Sequence, residues 1–207
     1  MNSLYRSMPP LSRRLATEFV GTAFLLIAIV GSGIMAETLT TDPGLQLFEN
    51  ALATAAALTA LMLALGSVSG AHFNPAVTLA DRVFRGLSDR ATVGYIGAQI
   101  AGGVVGVVLA NLMFDLSAIT LSTTARSGTG LWLAEGIATF GLLLVIFGVV
   151  KSGRSDVTAF AGIEPSSAPA FIVAELIGTA LAIGAAAFLF SHMDGVADQV
   201  VVSQASD

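Results

Sequence analysis

The sequence predicts an all-α polytopic membrane protein, a helix bundle with one re-entrant half-helix and two related halves. Three observations carry this reading. Of 207 residues, 55% are hydrophobic and 11% charged, with a mean hydropathy of +0.83. That is a chain that crosses lipid several times, not a soluble domain. Apolar stretches long enough for membrane helices alternate with short polar or charged segments. Between the second and third of them, the glycine-rich run Gly66–Gly70 leads into Asn74-Pro75-Ala76, the start of a helix too short to cross.

Composition also excludes several classes. With no cysteine there is no disulfide framework, thiolate nucleophile or cysteine-based metal site. The two histidines, His72 and His192, are far apart, which argues against a histidine metal cluster. The first apolar helix is long and lacks a small-residue cleavage pattern, so it does not read as a removable signal. No enzyme chemistry, cofactor, metal or nucleic-acid partner is expected. The net charge of −5 says little, because charge at a membrane is read loop by loop.

Taken in order, Leu15–Met35 is the first spanning candidate and carries one carboxylate, Glu18. Ala51–Leu65 is the second, short unless it starts near Leu45. Val93–Phe114 and Leu131–Val150 follow, and Ala168–Phe190 is the last. Arginine and lysine concentrate in residues 1–14, 81–90 and 151–154, which places those segments and the N-terminus in the cytoplasm. The 36–50 and 115–130 loops are then outside. By charge alone the last span runs outward, and the tail beyond it has no Lys or Arg. Gly94, Ala98, Gly102 and Gly106, and likewise Ala174, Gly178, Ala182 and Ala186, recur every fourth residue. Such stripes let helix backbones approach closely.

Asn74 is a favoured N-cap, and Pro75 fits the first helical position. A helix from Asn74 to about Arg85, where charge and Gly86 end it, is about 18 Å long, roughly half of a 30 Å bilayer core. The run Ser69-Gly70-Ala71-His72-Phe73-Asn74-Pro75-Ala76 resembles the aquaporin, or major intrinsic protein, family. The other reading, an ordinary capped helix after a glycine turn, fits the flanking residues and the membrane context less well.

A repeat is legible too. Glu18-Phe19-Val20-Gly21-Thr22 matches Glu135-Gly136-Ile137-Ala138-Thr139 at an offset of 117, and Ala98–Gly102 matches Ala174–Gly178 at an offset of 76. Repeated halves are a recurrent plan in transport proteins, with the site where the halves meet. Glu18 to Gln99 is 81 positions but Glu135 to Glu175 only 40, so the second copy is 41 short. No second Asn-Pro-Ala exists in the chain; Ala168-Pro169-Ala170 reads as a helix start.

The resemblance covers nearly all of residues 15–190 and implies six tilted helices and two half-helices, entering from opposite sides and meeting at paired Asn-Pro-Ala motifs. Thr158–Pro165 looks like the stretch that follows the second motif in relatives. The part lacking is then the fifth helix and second half-helix, removed around Ser155–Val157. This gives one channel-like domain over 1–207, with a first inverted repeat at about 15–114 and a truncated second at about 131–190. The linker 151–167 could extend about 56 Å, enough to cross a bilayer core, but as bare chain it would leave backbone groups unsatisfied.

By the same resemblance, Asn74 donates its amide to a passing solute while Pro75 and Ala76 lock the motif. Carbonyls of the pore loop Gly70, Ala71, His72 and Phe73 form an acceptor ladder, with His72 buttressing the loop rather than meeting solute. Glu18 and Glu135 are buried carboxylates, costly in lipid, and each braces the pore loop of its own half; Glu135 has lost its loop. Glu175 stands where relatives often carry glutamine, which implies a raised pKa or a new partner. Thr54 matches one side of the narrow filter, and a small residue there suits solutes larger than water; as an alternative it is a threonine that lines nothing.

The function this implies is a passive transmembrane channel for water or small neutral solutes such as glycerol or metalloid hydroxides. Its partners are the lipid bilayer, that solute and further copies of the chain in a homo-oligomer, a tetramer by resemblance. Its place is a cytoplasmic or inner membrane. The second reading is a non-conducting shortened relative acting through association in the membrane, or without a transport role. A third is an ion-coupled transporter using Glu18, Glu135 and Glu175.

Overall fold

A computed structural model describes residues 9–119, 128–151 and 168–190. The expectations for residues 1–8, 120–127 and 152–167, for His192 and the C-terminal tail, and for the side chain of Glu175, lie outside the described residues. Among those described there are six helices and no strand: α1 Leu11–Leu39, α2 Pro43–Ser69, α3 Pro75–Val83, α4 Asp89–Met113, α5 Thr129–Lys151 and α6 Ala168–Leu189. Four of them, α1, α2, α4 and α5, are long and apolar enough to cross a membrane. The all-α membrane architecture expected from composition is present.

The helices run past the apolar stretches because helix ends are set by capping, not by hydropathy. The largest difference is α2, which starts at Pro43 rather than Ala51. Asp42 caps it, its Oδ1 accepting from Gly44 N at 2.7 Å and Leu45 N at 3.1 Å, with Pro43 in the first turn. At 27 residues, α2 is no longer short for a bilayer. The half-helix also differs, with nine residues, about 14 Å, rather than twelve. It stops at Val83 because Arg85, not Gly86, takes the left-handed conformation at φ +64°. Gly86 N then reaches back to Asp81 O at 3.0 Å, closing the end. Ser88 caps α4 by accepting from Ala91 N. The last helix opens at Ala168, so Ala168-Pro169-Ala170 is a helix start.

In the first half, α1 packs against both α2 and α4. Asn50 of α2 donates to Ile29 O at 2.7 Å and to Ser32 Oγ at 2.9 Å on α1, a polar clasp of the kind that joins helices in lipid. A Cβ on Gly102 would strike the carbonyl of Phe19, and one on Gly106 the carbonyl of Ala23. Here α1 and α4 are in backbone contact, as the small-residue stripe requires. The second half repeats this. A Cβ on Gly178 would strike the carbonyl of Gly136, so α6 meets α5 in the same way. Gly136 is Phe19 moved by 117 and Gly178 is Gly102 moved by 76, the same two offsets that relate the sequence segments.

The half-helix α3 joins the two pairs, packing on α4 on one side and on α5 and α6 on the other. Ala80 and Phe84 at its end form one buried cluster with Leu143, Phe147, Ala182 and Ala186. Phe84 and Phe147 meet edge to face at 4.8 Å. Large apolar side chains such as Phe24, Leu47, Val93, Ile137 and Phe188 face outward. That inside-out distribution suits helices solvated by lipid.

Candidate functional site

The site is the turn between α2 and α3, and the chain there is strained. Gly70 (φ +89°), Ala71 (φ +50°) and Phe73 (φ +47°) are left-handed, while Asn74 is extended at φ −149°. Two non-glycine residues in that region of φ persist only where their surroundings hold them. The glycine-rich run before them ends α2, with Gly70 N donating to Gly66 O.

What holds the turn is Glu18, fully buried about two turns into α1. Its Oε1 accepts from Ser69 Oγ at 2.6 Å and from His72 N at 3.1 Å. Its Oε2 accepts from Phe73 N at 2.8 Å and from Gln99 Nε2 at 2.8 Å. Four donors surround one carboxylate, which is what allows a charge to sit inside a membrane protein. Two of the four donors are backbone N–H groups of the turn, those of His72 and Phe73.

Further polar side chains extend the brace. Gln99 Nε2 also donates to Thr78 Oγ1 at 2.9 Å, and the Thr78 hydroxyl donates to Asn74 O at 3.1 Å. With that proton engaged, the 3.1 Å contact between His72 Nδ1 and Thr78 Oγ1 requires Nδ1–H to be the donor. His72 Nε2 then faces Asp81 Oδ2 at 3.7 Å, and its ring packs on Tyr95. The ring is therefore built into the frame of the loop, as a buttress would be. On the other side, Tyr95 donates its hydroxyl to Ser69 O at 2.8 Å and accepts from Arg14 Nε at 2.8 Å. Arg14 also lies over the Tyr95 ring.

Asn74 itself is half-buried. Its Oδ1 accepts from Ala76 N at 2.7 Å, capping α3, while Pro75 occupies the first helical position. The oxygen is taken up by the cap, and the amide NH₂ has no part in it. Phe73 is buried, its ring edge against Gly21 of α1.

The other expected site residues are dispersed. Thr54 is buried at 3% exposure on α2, although most of that helix faces outward. Glu135 is half-buried on α5, and Thr139 one turn later is buried. Sequence reasoning quoted Ser69 in the motif without giving it a role, gave none to Thr78, Tyr95 or the Arg14 side chain, and used Gln99 only to align the repeat. A signal was present: Tyr95, Gln99, Gly102 and Gly106 fall on one face of α4, and Arg14 and Glu18 are one turn apart on α1. Polar side chains on the faces that bring two membrane helices into contact are expected to meet one another.

At the polar end of α3, Arg82 donates from Nε to Asp89 Oδ1 at 2.6 Å, and this carboxylate holds the guanidinium above its ordinary range.

Comparisons with known proteins bear on this site. A family model described as major intrinsic protein matches residues 6–165. The chain is 38% identical over 205 residues to the aquaglyceroporin AqpS of Rhizobium meliloti (strain 1021), covering 84% of this chain and 88% of that protein. It is 35% identical over 163 residues to nodulin-26 of Glycine max, with 76% and 58% covered. It is 31% identical over 169 residues to the glycerol uptake facilitator protein-like 6 of Lactiplantibacillus plantarum, with 78% and 74% covered. The chain thus spans most of two of these relatives and little more than half of the third.

Proposed function

Because the chain belongs to the major intrinsic protein family, multi-pass membrane channels rather than enzymes, we propose that it is a passive channel for small uncharged solutes of the glycerol class, with water as a smaller companion. The observation that carries this is the braced turn: Glu18 and Gln99 hold a strained loop that ends at Asn74, whose oxygen caps the half-helix and leaves its amide NH₂ outside the cap. A helix N-terminus and an amide donor together favour a neutral hydrogen-bonding solute and disfavour a cation.

Pro75 and Ala76 set the first turn of the half-helix, and the carbonyls of Gly70–Phe73 accept from the solute. Thr54 forms part of the narrow wall; its burial on an outward-facing helix supports an interior role. Its small size supports glycerol over water alone, and two relatives carry glycerol in their names. The residues form one domain of two repeats, the second shortened. The alignment with AqpS runs over 205 positions while engaging 84% of this chain's 207 residues, which supports an internal segment present there and lacking here. The N-terminus is cytoplasmic, a reading supported by Arg14, Arg82 and Arg85 lining one common cavity. The functional unit is a homo-oligomer in the membrane, a tetramer on the family pattern. The non-conducting reading is not favoured, since relatives covered over most of their length carry channel names.

The test is reconstitution into liposomes and stopped-flow light scattering with sucrose, then with glycerol. Rapid shrinkage and a glycerol re-swelling phase are expected, both reduced to empty-liposome rates by Asn74→Asp. Background rates from verified, inserted parent protein would overturn the reading.

A further inference from the structure

Where α1, α3 and α4 come together at one end of the bundle, a cavity of about 500 Å³ is lined by Arg14, Arg82, Arg85, Ser88, Asp89 and neighbouring backbone. Three guanidinium groups face one carboxylate there, so the wall carries net positive charge. Arg82 Nε is held by Asp89, and Arg82 is itself part of the cavity wall. Arg14 is the unusual member. It is only 5% exposed, its Nε is bound to Tyr95, and its Nη2 is buried without a hydrogen-bond partner among the described residues. That nitrogen is closed to a water-sized probe, so Arg14 contributes positive charge to the wall rather than an open Nη2 donor. The cavity also takes in the start of α4, a 25-residue helix whose first-turn N–H groups carry partial positive charge.

We propose that this cavity is a binding site for a phosphate group, held by Arg14, Arg82, Arg85 and the N-terminus of α4. Arginine forks match phosphate oxygens two at a time. The cavity lies where α1 and α4 begin, the depth at which a bilayer presents its headgroups. The phosphate comes from an anionic phospholipid or from free inorganic phosphate; the recognising chemistry is the same. Bound there, it lies beside the charge of Arg14, which is tied through Tyr95 to the Ser69 carbonyl and so to the pore loop.

The experiment uses the full chain in two arms. In neutral detergent, inorganic phosphate is titrated while thermal unfolding is followed, with chloride at equal ionic strength as reference. In nanodiscs of phosphatidylcholine with or without phosphatidylglycerol, native mass spectrometry counts anionic lipid retained after delipidation. Parent protein, Arg82→Gln/Arg85→Gln and Arg14→Lys are compared, with circular dichroism to verify folding. Loss of each arginine contact weakens binding by about tenfold or more. Stabilisation by phosphate that the double variant loses assigns a free anion, and retained phosphatidylglycerol lost in that variant assigns a lipid headgroup. If folded parent protein responds to neither, or if the double variant binds as the parent does, the site is overturned.

Discussion

The backbone N–H of Phe73 donates to Oε2 of Glu18 at 2.8 Å, tying a strained loop residue to a helix residue 55 positions earlier. With the bonds from His72 N, Ser69 and Gln99, the carboxylate has four donors. Glu18→Gln keeps the shape but replaces an acceptor oxygen with an amide that must donate. Since charge-assisted bonds are worth about 1.5–3 kcal/mol each and breaking a buried charged network costs about 3–5 kcal/mol, a loss of about 3 kcal/mol is expected. Thermal unfolding in detergent would read it, and solute flux should fall with it. A variant as stable as the parent would mean that the loop holds its shape unaided.

Gly21 sits under the ring of Phe73, and an added methyl would occupy the ring's own space. Gly21→Ala should therefore cost about 1–3 kcal/mol through overpacking. Leucine at position 73 frees part of that space, so Gly21→Ala/Phe73→Leu should recover some of the lost stability. If the double variant is worse than the sum of the singles, the ring is not what the methyl meets.

The pairing of helices predicts parallel behaviour in the two halves. Gly102→Ala drives a methyl into the Phe19 carbonyl, and Gly178→Ala does the same to Gly136. Each substitution should cost about 1–3 kcal/mol, because backbone, unlike a side chain, cannot swing aside. Gly97→Ala on the same α4 helix meets nothing and serves as control. Equal melting temperatures for Gly97→Ala and Gly102→Ala would count against close backbone contact.

Arg85 holds a left-handed conformation, φ +64°, that disfavours any side chain. Glycine there should stabilise the end of α3 by about 1 kcal/mol, seen as a rise in melting temperature. The same change removes one wall of the arginine cavity, so phosphate binding should weaken while stability rises. Falling stability would mean that the Arg85 side chain contributes more than its backbone strain removes.

Much of the architecture was legible in order along the chain. Apolar runs of bilayer length, the Asn74-Pro75 cap and the two offsets of 117 and 76 each reflect local or periodic rules. Helix ends were read less well: Asp42-Pro43 is a start signal outside the apolar run, and the end of α3 turned on which residue took positive φ. Of the candidate site, Ser69, His72 and Asn74 stand in the quoted motif and Glu18 in the repeat; the bonds that join them were not legible. Nor were the roles of Thr78, Tyr95 and Arg14, because their importance lies in partners up to 81 positions away.

The sequence by itself determined that this chain lives in lipid, that its helices come in matched pairs, and that a half-helix opens at Asn74. Those properties follow from hydropathy, capping and periodicity, which act over a few turns of helix. Only the tertiary structure decided that Glu18 gathers Ser69, His72, Phe73 and Gln99 around one carboxylate, and that three arginines share a cavity. The physical reason is burial. A charge enclosed by apolar helices must find its donors wherever the fold brings them, and distance along the chain places no limit on that choice.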